Sequence, residues 1–452
     1  MTFKRTLLAA AITGATFAAG TAHATNGYFS HGFGVKSQGM AGGGVAFANN
    51  SAMVIATNPA GLTAVDNQVG FEISWFRPER GYSQTSGSQG NPQYDPGQPT
   101  GGMNVPTFPL PAAQADSDSE RFIIPGLSAS YALTENDSIG IAVYGNGGLN
   151  TDFAPDADTL AYTQMQGGTY DGGAAGVNLE QLFIAPTYAR SFMDDKLSVG
   201  VSALIVRQKF RAKGIGGFGG YSTDAQNLSN NGHEKVWGYG GKVGVTFKPT
   251  DRITLGASYQ SEVDTDNFDK YAGLFAEEGD FDIPSTWTVG LAAAVTDDWT
   301  VTFDYQRINY SDVKAVSNPS FEYLTSGEAD KRLGGSNGAG FGWDDINVYK
   351  LGVQWQATPH LQLRAGWNRG DNPIGSDEVL FNTIAPGVME NHYTAGLSYS
   401  FDQNHEIHGA FMYAPEVSVT GVNPLTAGTG DEAQTTIRMK QYQATVGYTY
   451  KF

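Results

Sequence analysis

Tyr442-Gln443-Ala444-Thr445-Val446-Gly447-Tyr448-Thr449-Tyr450-Lys451-Phe452 closes the sequence. Tyr442, Ala444, Val446, Tyr448, Tyr450 and Phe452 share one face of an extended chain; Gln443, Thr445, Gly447, Thr449 and Lys451 share the other. Strict period-two alternation predicts a β-strand with one apolar and one polar side. Aromatics crowd the apolar face up to the last residue. A strand with bilayer on one side and a wet lumen on the other has this pattern.

The same period recurs upstream, at Val69-Phe71-Ile73-Trp75, Trp237-Tyr239-Gly241-Val243-Val245-Phe247, Trp287-Val289-Leu291-Ala293-Val295 and Tyr393-Ala395-Leu397-Tyr399-Phe401. Connections alternate between two kinds. Short turns such as Thr134-Glu135-Asn136-Asp137, Met193-Asp194-Asp195-Lys196 and Asp402-Gln403-Asn404-His405 carry turn-forming residues. Long polar or glycine-rich loops lie between them, near 79–119, 149–177, 212–234, 264–281, 314–344, 371–389 and 420–437. Six short turns and seven long loops imply fourteen strands. The predicted fold class is all-β: a 14-stranded antiparallel transmembrane β-barrel, turns on the periplasmic side and loops outside.

Residues 1–24 read as a signal peptide. Lys4 and Arg5 precede the apolar stretch Leu7–Ala19, and Ala22-His23-Ala24 is an A-x-A cleavage site. Without that leader, 25 basic residues face 45 acidic ones. Such acidity argues against a nucleic-acid partner, which needs a basic footprint. Cysteine is absent, so disulfides contribute no stability, although export would permit them. Fourteen strands enclose more space than side chains alone can fill. Residues 25–66, rich in small residues yet carrying Phe33, Val35, Met40, Phe47, Met53, Ile55 and Leu62, are the expected plug, with the barrel over 67–452.

The plug also carries words that resemble the FadL family of outer-membrane transporters for long-chain fatty acids and aromatic hydrocarbons. These are Asn26-Gly27-Tyr28-Phe29-Ser30-His31-Gly32-Phe33-Gly34, Lys36-Ser37-Gln38-Gly39-Met40-Ala41-Gly42-Gly43-Gly44 and Asn58-Pro59-Ala60-Gly61-Leu62. The resemblance extends over the mature chain and is weakest in the loops. It implies a fourteen-stranded barrel with an N-terminal hatch, and passive uptake of a hydrophobic compound. Loops capture the compound, the plug moves, and the compound leaves sideways through a gap in the wall. The gap would lie where the third strand kinks. The matching stretch is Gly145-Asn146-Gly147-Gly148, and glycines there permit a bulge. The resemblance further implies a cell outer membrane location, contact with lipid and lipopolysaccharide, a monomer, no enzyme activity and no cofactor.

Candidate substrate contacts come from chemistry. Phe108, Leu110, Leu274 and Phe275 are apolar residues within polar outer loops. Arg207, Lys209 and Arg211 share one strand face, and the resemblance puts a carboxylate-binding cation nearby. A neutral hydrocarbon needs no such cation. Other motifs fail. Gly214-Ile215-Gly216-Gly217-Phe218-Gly219 matches a dinucleotide pattern but opens no helix. His405-Glu406-Ile407-His408 lacks zinc-protease spacing, so no metal site is expected. The competing readings are a general aqueous porin and an outer-membrane hydrolase.

Overall fold

The structure, a computed structural model, describes residues 25–89, 108–160, 167–427 and 429–452. The expected leader lies outside the described residues. Fourteen long strands build the wall: β1 Gln68–Gln84, β2 Phe122–Ala132, β3 Asp137–Gly147, β4 Gly176–Phe192, β5 Leu197–Lys213, β6 Glu234–Thr250 and β7 Ile253–Gln260. The second half comprises β8 Thr286–Ala294, β9 Trp299–Ile308, β10 Ile346–Thr358, β11 Leu361–Gly370, β12 Asn391–Ser400, β13 His405–Val422 and β14 Gln434–Lys451. Each strand pairs antiparallel with its sequence neighbours, and β1 pairs with β14 from Gln68↔Lys451 to Gln84↔Thr435. The sheet is thus a closed 14-stranded barrel. Hydrocarbon cannot hydrogen-bond an open edge, so closure is what makes strands tenable in a membrane.

Alternation then sorts the side chains. In β14, Gln443 and Thr445 are buried in the lumen while Val446 and Tyr448 are exposed on the outside. Phe71, Val201, Val243, Leu291, Leu351, Leu397 and Phe411 continue the apolar skin around the barrel. Aromatic belts bound it. Trp299 stacks on Trp355 at 5.3 Å beside the short turns, and Trp237, Tyr259, Trp287, Trp367 and Tyr393 ring the outer side. From Tyr442 to Tyr450 the strand rises roughly 27 Å at ~3.4 Å per residue, close to the height of an outer-membrane apolar band.

Much of the segment 25–66 packs against inward-facing residues of the strands. It forms a one-turn helix α1, Val35–Gln38, and two 3₁₀ turns, Ala52–Ala56 and Pro59–Ala64. Met53, Ile55 and Leu62 are buried in one cluster with the inward-facing Ile124, Ala185 and Leu204. Burying apolar surface holds the segment in place, while its many small residues let it approach the wall closely.

Candidate functional site

The plug is fixed by polar contacts to inward-facing strand residues. Glu72 of β1 accepts the Val35 N–H at 2.8 Å. Asp304 of β9 accepts the Gly44 and Val45 N–H groups at 2.7 and 3.0 Å. Lys36 pairs with Glu406 of β13 at 3.1 Å, both side chains almost fully buried, and Lys451 stands 3.7 Å from the same carboxylate. Charge-assisted bonds in a low-dielectric lumen are strong, and leaving one member unpaired is costly. Sequence reading missed Glu72, Asp304 and Glu406. The signal was present: each is an acidic residue on the polar face of an alternating strand.

The plug words explain themselves at this distance. Asn58 caps the second 3₁₀ turn, accepting the Ala60 N–H at 3.0 Å. Its side-chain amide donates to the carbonyls of Val45 at 2.6 Å and Val245 of β6 at 3.1 Å. Pro59 and Ala60 then lie on Gly200 of β5, where a Cβ would meet the Pro59 carbonyl carbon at 2.3 Å. Gly39 packs backbone to backbone on Gly396 of β12. Gly42 has φ +80° and its Cα abuts Gly32, so a side chain is excluded twice over.

The wall is interrupted between β2 and β3. Their pairing runs from Ala132↔Ser138 to Leu127↔Val143 and stops. Beyond it Phe122–Gly126 pair with β1, and Tyr144, Gly145 and Gly147 pair with β4, none of them with each other. From Ala142 onward both faces of β3 are buried, as expected of a strand that has left the wall for the interior. Asn146 is the extra residue of a bulge between Gly145↔Leu182 and Gly147↔Gln181. Its side-chain amide donates to Gln181 at 3.1 Å. Gly147 bridges Phe29 of the plug; the Ser30 N–H donates to the Asn146 carbonyl and the Gly148 N–H to the Tyr28 carbonyl, at 2.8 and 2.9 Å. Phe33, Tyr144 and Phe183 stack behind the interruption, at ring separations of 4.9 and 5.4 Å.

The outer loops close over an apolar cavity lined by Phe218, Leu274, Phe275, Leu333, Phe341 and Phe381 among others, none of them charged. Of the sequence candidates, Leu274 and Phe275 line it; Leu110 does not. Phe108 and Leu110 instead form a short ladder with Gly87–Gln89. The cavity measures only 30 Å³, against ~150 Å³ for a protein cavity that binds benzene, so a guest must push aromatic side chains apart. Glu378 braces one side. Its carboxylate accepts the Ser320 N–H at 3.2 Å and the Ser320 hydroxyl. Asn382 donates to the Phe341 carbonyl at 2.7 Å and accepts the Trp343 indole N–H at 2.6 Å. Burial pushes the Glu378 carboxyl up to about 7.

Arg207, Lys209 and Arg211 do not face the lumen, which corrects the reading of them as an internal carboxylate site. Side chains alternate along β5, and these odd-numbered positions share their face with the lipid-exposed Val199 and Val201. The inward positions are Leu204, Val206, Gln208 and Phe210. Lys209 pairs with Glu180 at 3.0 Å on that outer face.

Residues 11–452 match the model of a family described as outer membrane protein transport protein (OMPP1/FadL/TodX). A putative outer membrane protein of Neisseria meningitidis serogroup B is 22% identical, over 99% of this chain and 98% of its own length. Among solved structures, the toluene transporter TodX of Pseudomonas putida superposes with a TM-score of 0.63 at 18% identity, over 93% of this chain and 99% of its own. A FadL homologue of Pseudomonas aeruginosa gives 0.63 at 15% identity, over 94% and 100%. These structural likenesses bear on the fold. The family match spans nearly the whole chain, and with it this barrel belongs to the OMPP1/FadL/TodX family of outer membrane transport proteins.

Proposed function

We propose that the protein takes up uncharged hydrophobic compounds, monoaromatic hydrocarbons foremost, and releases them sideways into the outer membrane through the break between β2 and β3. The observation that carries this reading is the end of pairing at Leu127↔Val143. Beyond that point β2 and β3 do not pair, and Phe33 and Tyr144 pack against each other at 4.9 Å, which supports a lateral exit there. Several relatives in fold are named as toluene or monoaromatic hydrocarbon channels. The uncharged cavity lining and the outward-facing Arg207, Lys209 and Arg211 favour a neutral substrate over a carboxylate.

The periplasmic side offers a contrasting route. Below the plug opens a basin of 660 Å³ whose lining includes Lys36, Gln354, Gln356, Gln362, Glu406 and Lys451. A hydrocarbon leaving that way would enter water, at a cost of ~0.8 kcal/mol per CH₂. The lateral route avoids water altogether. The test is uptake of labelled toluene by cells carrying Gly145→Leu and Gly148→Leu, with barrel insertion checked by heat-modifiable gel migration. A loss of uptake with intact insertion supports the lateral route; unchanged uptake refutes it.

A further inference from the structure

The strands β4, β5 and β6 each run 17 residues and overshoot the outer aromatic belt. Their exterior face there is basic. Arg207 lies opposite Trp237 in the ladder, and Lys209 lies directly opposite Lys235, two residues further out. Arg211 and Lys213 continue the row along β5, and Lys270 of the next loop reaches the His233 carbonyl at 3.2 Å. Two residues of strand are about 7 Å, so the Lys209–Lys235 pair stands just above the edge of the hydrocarbon.

Like charges directly opposed across a ladder destabilise a sheet. Partners on the protein only partly relieve these. Glu180 serves Lys209 at 3.0 Å and Asp152 serves Lys213 at 2.5 Å. Glu234 accepts the Lys270 backbone N–H at 2.9 Å. Arg207, Arg211, Lys235 and Lys270 have no carboxylate within 4 Å among the described residues, and the buried Arg211 Nε has no hydrogen-bond partner. Several other cations of the outer rim are held differently, although Arg121, just before β2, also has no carboxylate within 4 Å among the described residues. Arg77, Arg307, Arg369 and Arg438 each have a carboxylate, Glu79, Asp345, Glu390 and Asp116. Lys440, without one, lies over the Tyr442 ring at 5.2 Å. In a chain with 45 acidic and 27 basic residues, three cations without a carboxylate close together on β5 and β6, Arg207, Arg211 and Lys235, call for an anion from outside. His233 feels the same field: burial, then Lys209, Arg211 and Lys235, hold its imidazole down to about 4.

We infer that the exterior of β5 and β6 above Trp237 is a docking site for the phosphorylated head group of an outer-leaflet glycolipid. Arg207, Lys209, Arg211 and Lys235 would hold its phosphates, and the apolar wall below, Val201 and Val243 included, would take its acyl chains. Charge complementarity commits the site to this occupant. The face abuts the outer leaflet, phosphate suits both guanidinium forks and ammonium groups, and Trp237 and Tyr239 mark the depth at which head groups begin.

The test uses the full-length protein, purified in mild detergent and analysed by native mass spectrometry with added hexa-acylated bis-phosphorylated lipid A. R207Q/K209Q/R211Q/K235Q is compared with wild type and with R307Q/R369Q, which changes paired cations elsewhere on the rim. The expected result is at least a fivefold loss of bound glycolipid in the quadruple variant only, no binding of the enzymatically dephosphorylated glycolipid, and no displacement by millimolar inorganic phosphate. K209Q/K235Q answers the same question if the quadruple variant fails to insert. Equal glycolipid retention by all variants, equal loss in R307Q/R369Q, equal binding of the dephosphorylated lipid, or displacement by free phosphate would each overturn the inference.

Discussion

The carbonyl oxygen of Tyr28 lies 1.9 Å from where a Cβ on Gly147 would stand. The leading edge of the plug and the bent end of β3 can therefore touch only while residue 147 is glycine. This contact couples the two parts whose relative movement the proposed route requires. On that proposal, a shift of the plug would also release the end of β3.

Gly147→Val should separate them. The Phe29–Gly147 bridge and the flanking backbone bonds at Asn146 and Gly148 would be lost. Amides of residues 26–30 are then expected to exchange with deuterium at least tenfold faster, an opening cost lower by ~1.4 kcal/mol. Exchange in β10 to β12 should stay as it is.

The Lys36–Glu406 pair should behave asymmetrically. Lys36→Met leaves Glu406 with Lys451 at 3.7 Å. Glu406→Gln leaves the buried Lys36 without its carboxylate, while Lys451 keeps Asp66 at 3.7 Å. Removing one member of a buried pair costs about 3–5 kcal/mol, and the second substitution should sit at the upper end of that range. Local opening of α1, measured by hydrogen exchange, should rank wild type, K36M, E406Q, and the double variant K36M/E406Q should recover part of the loss.

Leu274→Glu puts a carboxylate into a lining that contains no charge. Burial of an unpaired charge disfavours a hydrocarbon-ready cavity. Toluene uptake at low concentration should fall by about tenfold, equivalent to ~1.4 kcal/mol, while the uptake rate at saturating toluene changes less.

Glu378 predicts a pH effect on the outer loops. Its folded-state value of about 7 stands above the ordinary 4.5. The native loops therefore hold its proton more tightly than the unfolded chain does. Their extra stability is complete below about pH 4.5 and is lost as pH rises through 7. Exchange at Ser320 and Asn382 should be slower at pH 5 than at pH 8 after correction for intrinsic rates, and E378Q should remove most of that difference.

The barrel was legible because period-two alternation is strict wherever lipid and water face opposite sides of a strand. The strand count followed from the turns, where Asn and Asp cluster. Other features were less visible. Pro78 cannot donate to a ladder and reads as a strand end, yet β1 continues to Gln84. The outward orientation of Arg207, Lys209 and Arg211 is legible from their parity with Val199 and Val201. Gly145 and Gly147 signal that β3 can bend, but the partner at the bend, Tyr28, lies more than a hundred residues away in sequence. The loop cavity is assembled from four separate loops, whose mutual packing leaves no periodic trace.

The central claim is that substrate leaves through the wall and not through the floor. A toluene analogue carrying an aryl diazirine, photolysed on the protein in outer-membrane vesicles and mapped by peptide mass spectrometry, tests it most directly. Labelling concentrated at Phe33, Ile124 and Tyr144 is the predicted result. Labelling concentrated in the basin at Gln354, Gln356 and Gln362, with none at the β2–β3 break, would contradict it.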